Sequence, residues 1–96
     1  MNIVYKPHLL RRLKERKIPK TYPRKIILKP EYRYFDSQTM HYISIRKLKY
    51  AKSQRSMVAV YDIIEDEIQV ITTYPILSPE IKNKVSSGRC KIYEKD

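Results

Sequence analysis

Ninety-six residues suffice for one small domain, and with 42% hydrophobic residues the chain is not the kind that stays disordered. A single cysteine excludes an internal disulfide, no apolar run reaches the roughly 20 residues of a membrane span, and no signal-peptide core opens the chain, so a cytoplasmic place without membrane attachment is expected. The formal net charge is +11 and uneven: residues 1–56 hold 16 of the 21 Lys and Arg but 3 of the 10 acids, which favours a patch for a polyanionic partner over a uniform solubilising coat.

In chain order, residues 2–5 read as a short strand. Pro7 suits the first turn of a helix with its body over residues 8–17, where Leu9, Leu10 and Leu13 form a narrow apolar stripe. His8, Arg12 and Arg16 succeed one another at i, i+4, i+8 and line the edge of that stripe. Pro19 ends this helix. Pro23 opens a second, Pro30 closes it, and Ile26, Ile27 and Leu28 supply its apolar contacts.

Residues 32–35 and 40–48 read as a hairpin around Asp36, Ser37 and Gln38, less buried than the next hairpin because both faces of its longer strand are half polar. Residues 50–54 read as a basic loop leading to Arg55. Residues 57–63 and 68–74, rich in β-branched and aromatic side chains, flank Ile64-Glu65-Asp66-Glu67 as an antiparallel hairpin. Pairing Ile63 with Ile68 sets Tyr61 opposite Val70, Ala59 opposite Thr72 and Met57 opposite Tyr74. Both faces are largely apolar, with Asp62 and Gln69 near the turn, so this hairpin is expected to be central and to carry the core. Ser78-Pro79-Glu80 starts a short helix that Gly88 stops, and residues 89–93 are a last strand. The fold class expected is α+β in a single domain over residues 1–96: a short N-terminal strand, two helices, a mainly antiparallel sheet of about four strands and a short C-terminal helix.

Several chemistries are excluded by residue type. His8, His41 and Cys90 are dispersed and show no metal-ligand spacing, so no metal or other cofactor is expected. Cys90 reads as a small buried hydrophobe. The one glycine, Gly88, excludes a Gly-rich phosphate cradle. Carboxylates gather only at Asp62, Glu65, Asp66 and Glu67, a solvated turn. What remains is Arg, Lys, Tyr and two His. Tyrosines interleaved with cations, such as Tyr42 near Arg46 and Lys49, suit single-stranded RNA, whose bases stack on rings while cations hold its backbone. Tyrosine in strands is equally plain β propensity.

His8-x-x-x-Arg12-x-x-x-Arg16-Lys17-Ile18 followed by Pro30-Glu31, then Met57-Val58-Ala59-Val60-Tyr61 and Val70-Ile71-Thr72-Thr73-Tyr74-Pro75, resembles a small uncharacterised family within the RelE/BrnT-like toxin superfamily. The resemblance covers roughly residues 5–76. It implies a microbial RNase-like α+β fold and a metal-independent endoribonuclease toxin of a toxin–antitoxin system. The substrate implied is RNA, including ribosome-associated mRNA, and the partner an acidic antitoxin. In such enzymes a base deprotonates the ribose 2′-hydroxyl, that oxygen attacks the adjacent phosphate, an acid protonates the leaving 5′-oxygen, and cations stabilise the charge.

With Ile63 set against Ile68, Arg55 and Tyr74 share a face at the open end of the hairpin. Arg55 is the candidate to hold the phosphate, Tyr74 to relay a proton, and His8, whose imidazole ordinarily titrates near neutrality, to act as acid or base. Arg12 and Arg16 are the candidates for flanking phosphates, Arg46 and Lys49 for supporting cations, and Tyr42 for base stacking. Plainer roles stand beside these: Tyr74 as a ring covering the strand end, His8 as a helix-start hydrogen-bonding group. A non-catalytic RNA-binding module and a protein that docks an acidic partner are the competing functions.

Overall fold

The computed structural model describes residues 2–76 and 90–95. In chain order the elements are β1 (Asn2–Tyr5), α1 (Pro7–Glu15), α2 (Tyr22–Leu28), β2 (Tyr32–Asp36), β3 (His41–Tyr50), β4 (Ser53–Ile64), β5 (Glu67–Ile76) and β6 (Cys90–Lys95). The strands form one six-stranded sheet in the order β1-β5-β4-β3-β2-β6. β1 runs parallel to β5 and every other pair is antiparallel. The α+β class agrees with the expectation, but the sheet is larger than the four strands expected and mixed, because β1 and β6 extend it at its two edges. The helix expected from Ser78 to Gly88 lies outside the described residues.

β4 carries the core because both its faces are apolar. Met57, Val58 and Ala59 are fully buried in succession. Met57, Ala59 and Tyr61 face the helices, where Leu9, Leu13, Ile18, Ile26 and Ile27 cover them. Val58 faces the other way, among Tyr34, Ile43, Ile45 and Ile76. Each large side chain so buried contributes about 1.5–3 kcal/mol relative to exposure. β3 is more interior than its polarity implied: Ile43, Ser44 and Ile45 are all buried, and the Ser44 hydroxyl is accommodated by a 2.8 Å hydrogen bond with the Tyr61 hydroxyl. Polarity does not mark exposure there, since a satisfied hydroxyl is tolerated inside.

The end of α1 explains how the helices meet the sheet. Lys17 adopts φ 57°, its N–H donates to the Lys14 carbonyl, and Ile18 N–H donates to the Leu13 carbonyl at 2.9 Å. This is a Schellman motif, completed by packing of buried Ile18 in the cluster that holds Leu13. The helix thus stops at Glu15, two residues short of the expected Lys17, through backbone geometry that normally favours glycine. α2 buries Pro23, Ile26 and Ile27, whereas Leu28, expected to pack, is 53% exposed because seven residues offer only one inward stripe.

Two turns set the register. Tyr50 pairs with Ser53 across Ala51 and Lys52, both at positive φ (51° and 69°). The segment expected to be a loop is therefore a two-residue hairpin of the type I′ kind, hidden because its Asn-Gly signature is absent. β4 and β5 meet across Glu65 and Asp66, with Ile63 opposite Ile68 and Tyr61 opposite Val70 as expected. The register then shifts between Val60 and Tyr61, with Ile71 as the extra residue on β5. Ala59 consequently faces Thr73, not Thr72, and Met57 faces Pro75, not Tyr74. Among the described residues β1 pairs with β5 only as far as Val70, which leaves residues 71–76 of β5 without a neighbouring strand on that side.

Candidate functional site

α1 turns Leu9 and Leu13 inward, and the same helical spacing turns Arg11 and Lys14 outward. Beyond the Schellman turn the chain bends back so that Ile18, Pro19 and Lys20 face these two cations across a concavity of about 630 Å³ that Leu10 also lines. Among the described residues three cations and no acidic side chain line it. The hydroxyl of Tyr22 donates to the Lys49 carbonyl at 2.6 Å, and that of Tyr50 to the Arg16 carbonyl at 2.8 Å. These bonds draw the end of α1, the start of α2 and the β3–β4 turn together, adding Lys17, Lys49 and Lys52 to the same region. Lys25 Nζ lies 5.7 Å from the Tyr22 ring centroid, a cation–π distance. None of Arg11, Lys14, Lys20, Lys49 and Arg55 is paired with an acid among the described residues. Concentrated, unneutralised cations attract a polyanion over a distance set by ionic strength.

The residues singled out from sequence divide sharply. Arg16 is committed to structure: its Nη1 donates to Thr72 Oγ1 at 3.0 Å and to the Thr73 carbonyl at 2.9 Å, on the side of β5 that lacks a neighbour. Arg46 reaches the Lys25 carbonyl in α2 at 3.4 Å. Tyr42 is half-buried, stacked on Tyr61 at 5.8 Å and met edge-on by Phe35 at 5.2 Å, so protein rings occupy the surface expected to stack on bases. Arg12 is half-buried beside the apolar stripe and Lys49 is exposed.

Arg55 and Tyr74 do not form the expected pair. Arg55 lies opposite Leu48 on the helix-covered face, whereas Tyr74 lies opposite Val58 on the other. The extra residue at Ile71 moves every later β5 side chain to the opposite face, and this overturns the shared-face premise. Neither residue lines the cationic concavity or the smaller one beside His8.

His8 is exposed at the start of α1 and lines that second concavity, of about 190 Å³, with Lys6, Leu9, Asp62, Gln69, Val70 and Ile71. Asp62 in turn bonds His41 Nδ1 through Oδ1 at 2.5 Å, with both side chains about one-third exposed. A pair so open to solvent contributes at most about 1 kcal/mol to stability. Neither His41 nor Asp62 stands out as a site residue in the sequence. The signal that leads to them is the Ala51 and Lys52 turn: once Tyr50 is set against Ser53, counting outward brings His41 to Asp62.

Burial pushes the Tyr5 phenol above its ordinary 10.0, opposed by the Arg24 N–H that donates to its oxygen at 3.1 Å, so Tyr5 is a structural group. Among the described residues no cluster of His, Cys, Asp and Glu has the makings of a metal site, and no helix is long and apolar enough to cross a membrane. No family model matches this chain, and no curated protein or solved structure matches it either.

Proposed function

We propose that this chain binds RNA through the cationic surface of α1, α2 and the β3–β4 turn, and cleaves it without a metal, as the RelE/BrnT-like toxins it resembles do. The reading places it in the cytoplasm with an acidic antitoxin as protein partner. The observation that carries it is the concavity walled by Arg11, Lys14 and Lys20, in which no acid among the described residues competes with a phosphate backbone. Its apolar wall of Leu10, Ile18 and Pro19 suits the face of an unstacked base, which a duplex does not present.

Anisotropy of a labelled single-stranded RNA, titrated with protein in EDTA at several salt concentrations, tests the binding. The logarithm of affinity should fall linearly with the logarithm of salt, and Arg11→Ala/Lys14→Ala/Lys20→Ala should flatten that slope by about 0.7 for each phosphate no longer neutralised. No binding in dilute buffer sinks the reading. Binding without cleavage is the second reading, favoured by the separation of Arg55 from Tyr74. A gel of the same mixtures, showing intact or shortened RNA, decides between them.

A further inference from the structure

We infer that this chain associates with a second copy of itself head to tail, the tip of the β4–β5 hairpin of one copy seated in the cationic concavity of the next. The inference does not depend on RNA cleavage. It bears on RNA binding, because tip and RNA claim the same concavity.

Among the described residues four large apolar side chains are exposed, and three of them lie at one end of the sheet: Met40 at 64%, Ile63 at 37% and Ile64 at 49%. Ile63 and Ile64 close β4, and Met40 immediately precedes His41, which bonds Asp62 at that end. Exposed apolar residues scattered singly are ordinary, but a group of them at one end marks a contact surface. Acids frame it. Ile64 lines a concavity of about 250 Å³ with Asn2, Glu65, Asp66 and Glu67. The carboxylates of Glu65 and Asp66 make no ion pair among the described residues. The Asn2 N–H donates to the Asp66 carbonyl at 3.3 Å and ties the turn to β1.

The other end of β4 carries the complement. There Arg11, Lys14 and Lys20 line their concavity with Leu10, Ile18 and Pro19. Three cations beside apolar side chains thus match three acids beside Ile64. The 12 residues of β4 set the two ends about 36 Å apart, too far for a tip to reach the concavity of its own chain. The tip must therefore come from another copy. Two patches that fit each other, and not themselves, make a heterologous contact that repeats from copy to copy. The contact runs through turns at strand ends and leaves the free edge of β5 aside.

Screening decides when the contact forms. The net charge of +11 drives copies apart. At about 0.01 M salt the screening length is roughly 30 Å, so every cation of both copies is felt and repulsion wins. At about 0.1 M it is roughly 10 Å, and only the facing acids and cations act on each other. At about 1 M it falls to roughly 3 Å and their attraction fades. Association is therefore greatest at the middle salt level.

Sedimentation velocity of the concentrated full chain at these three salt levels tests the pairing. The average mass should exceed that of the monomer at the middle level and fall toward it at the other two. A tip variant, Ile64→Ser/Glu65→Gln/Asp66→Asn, and a concavity variant, Arg11→Ala/Lys14→Ala/Lys20→Ala, should each sediment as monomers with unchanged circular dichroism. Mixed, they should form a dimer that grows no further, because one sound tip meets one sound concavity. Single-stranded RNA should disperse the wild-type assembly. A wild type that is monomeric at every salt level overturns the pairing and leaves the tip to a basic partner of another kind. Association that persists in either variant alone, or a mixture that stays monomeric, overturns the head-to-tail arrangement. An assembly that keeps its size with RNA bound overturns the shared concavity.

Discussion

β4 belongs to two hairpins, and they differ in a single residue. With β3 it keeps one register from Tyr50↔Ser53 to Tyr42↔Tyr61. With β5 it keeps register only from Ile64↔Glu67 to Tyr61↔Val70, and the extra Ile71 then offsets every pair nearer the open end. The uninterrupted hairpin brings side chains together, His41 with Asp62 and Ser44 with Tyr61. The interrupted one separates them, Tyr74 from Arg55. Because strand side chains alternate strictly, one inserted residue decides which groups share a face over the rest of the strand. Position along the chain is thus a poor guide to a site unless every bulge is known.

The strongest way to break the comparison is to damage what both hairpins share. Met57 stands between Arg46 and Pro75 and is fully buried, so Met57→Ala should cost about 2–5 kcal/mol in urea unfolding. A smaller loss would mean that the two hairpins do not lean on a common core. The Arg16 side chain supports only the interrupted one. Arg16→Ala removes two charged hydrogen bonds and should cost about 1.5–3 kcal/mol, with RNA affinity nearly unchanged because that guanidinium is already engaged. A large fall in affinity with stability intact would reverse this assignment.

Sharpening the uninterrupted hairpin calls for the opposite kind of change. Ala51→Asn with Lys52→Gly gives the turn residues suited to positive φ at both positions, and should raise stability by about 1–2 kcal/mol in thermal melts. In the interrupted hairpin Thr73 carries a buried hydroxyl that has no partner among the described residues, and Thr73→Val should add about 1 kcal/mol. The smallest effect concerns Tyr5, paired with Val70 where β1 ends. Its folded-state pKa is raised above 10.0, so the unfolded chain ionises first and the stability Tyr5 contributes declines as pH rises above about 10. Denaturation midpoints tracked from pH 9 to 11 should drop less steeply in Tyr5→Phe.

Much of the fold was legible. Proline placement and the Leu9–Leu13 spacing gave α1 and α2, and β-branched runs gave the β4–β5 hairpin, since both signals act over a few residues. Features that depend on backbone strain without glycine were not: Lys17, Ala51 and Lys52 take positive φ although nothing in their side chains announces it. The bulge left no mark in an unbroken β-branched run from Val70 to Thr73. For the site, the charge asymmetry was visible, but charge counts do not tell an arginine free to meet a ligand from one spent on a carbonyl, as Arg16 and Arg46 are. Lys14, Lys20 and Arg11 lie away from the apolar stripe whose edge His8, Arg12 and Arg16 mark. The pairing of His41 with Asp62 depends on a turn whose residues look like those of a loop.

Residues 71–76 of β5 lie beyond the reach of β1, and such a rim is ordinarily where one sheet adds to another. Here the outward carbonyl of Thr73 is already occupied by Arg16. Two residues on, on the same outward side, Pro75 has no amide proton to offer. An incoming strand would meet a positive charge and a missing donor within three residues, so this protein carries its own guard against polymerising through its β-structure at high concentration.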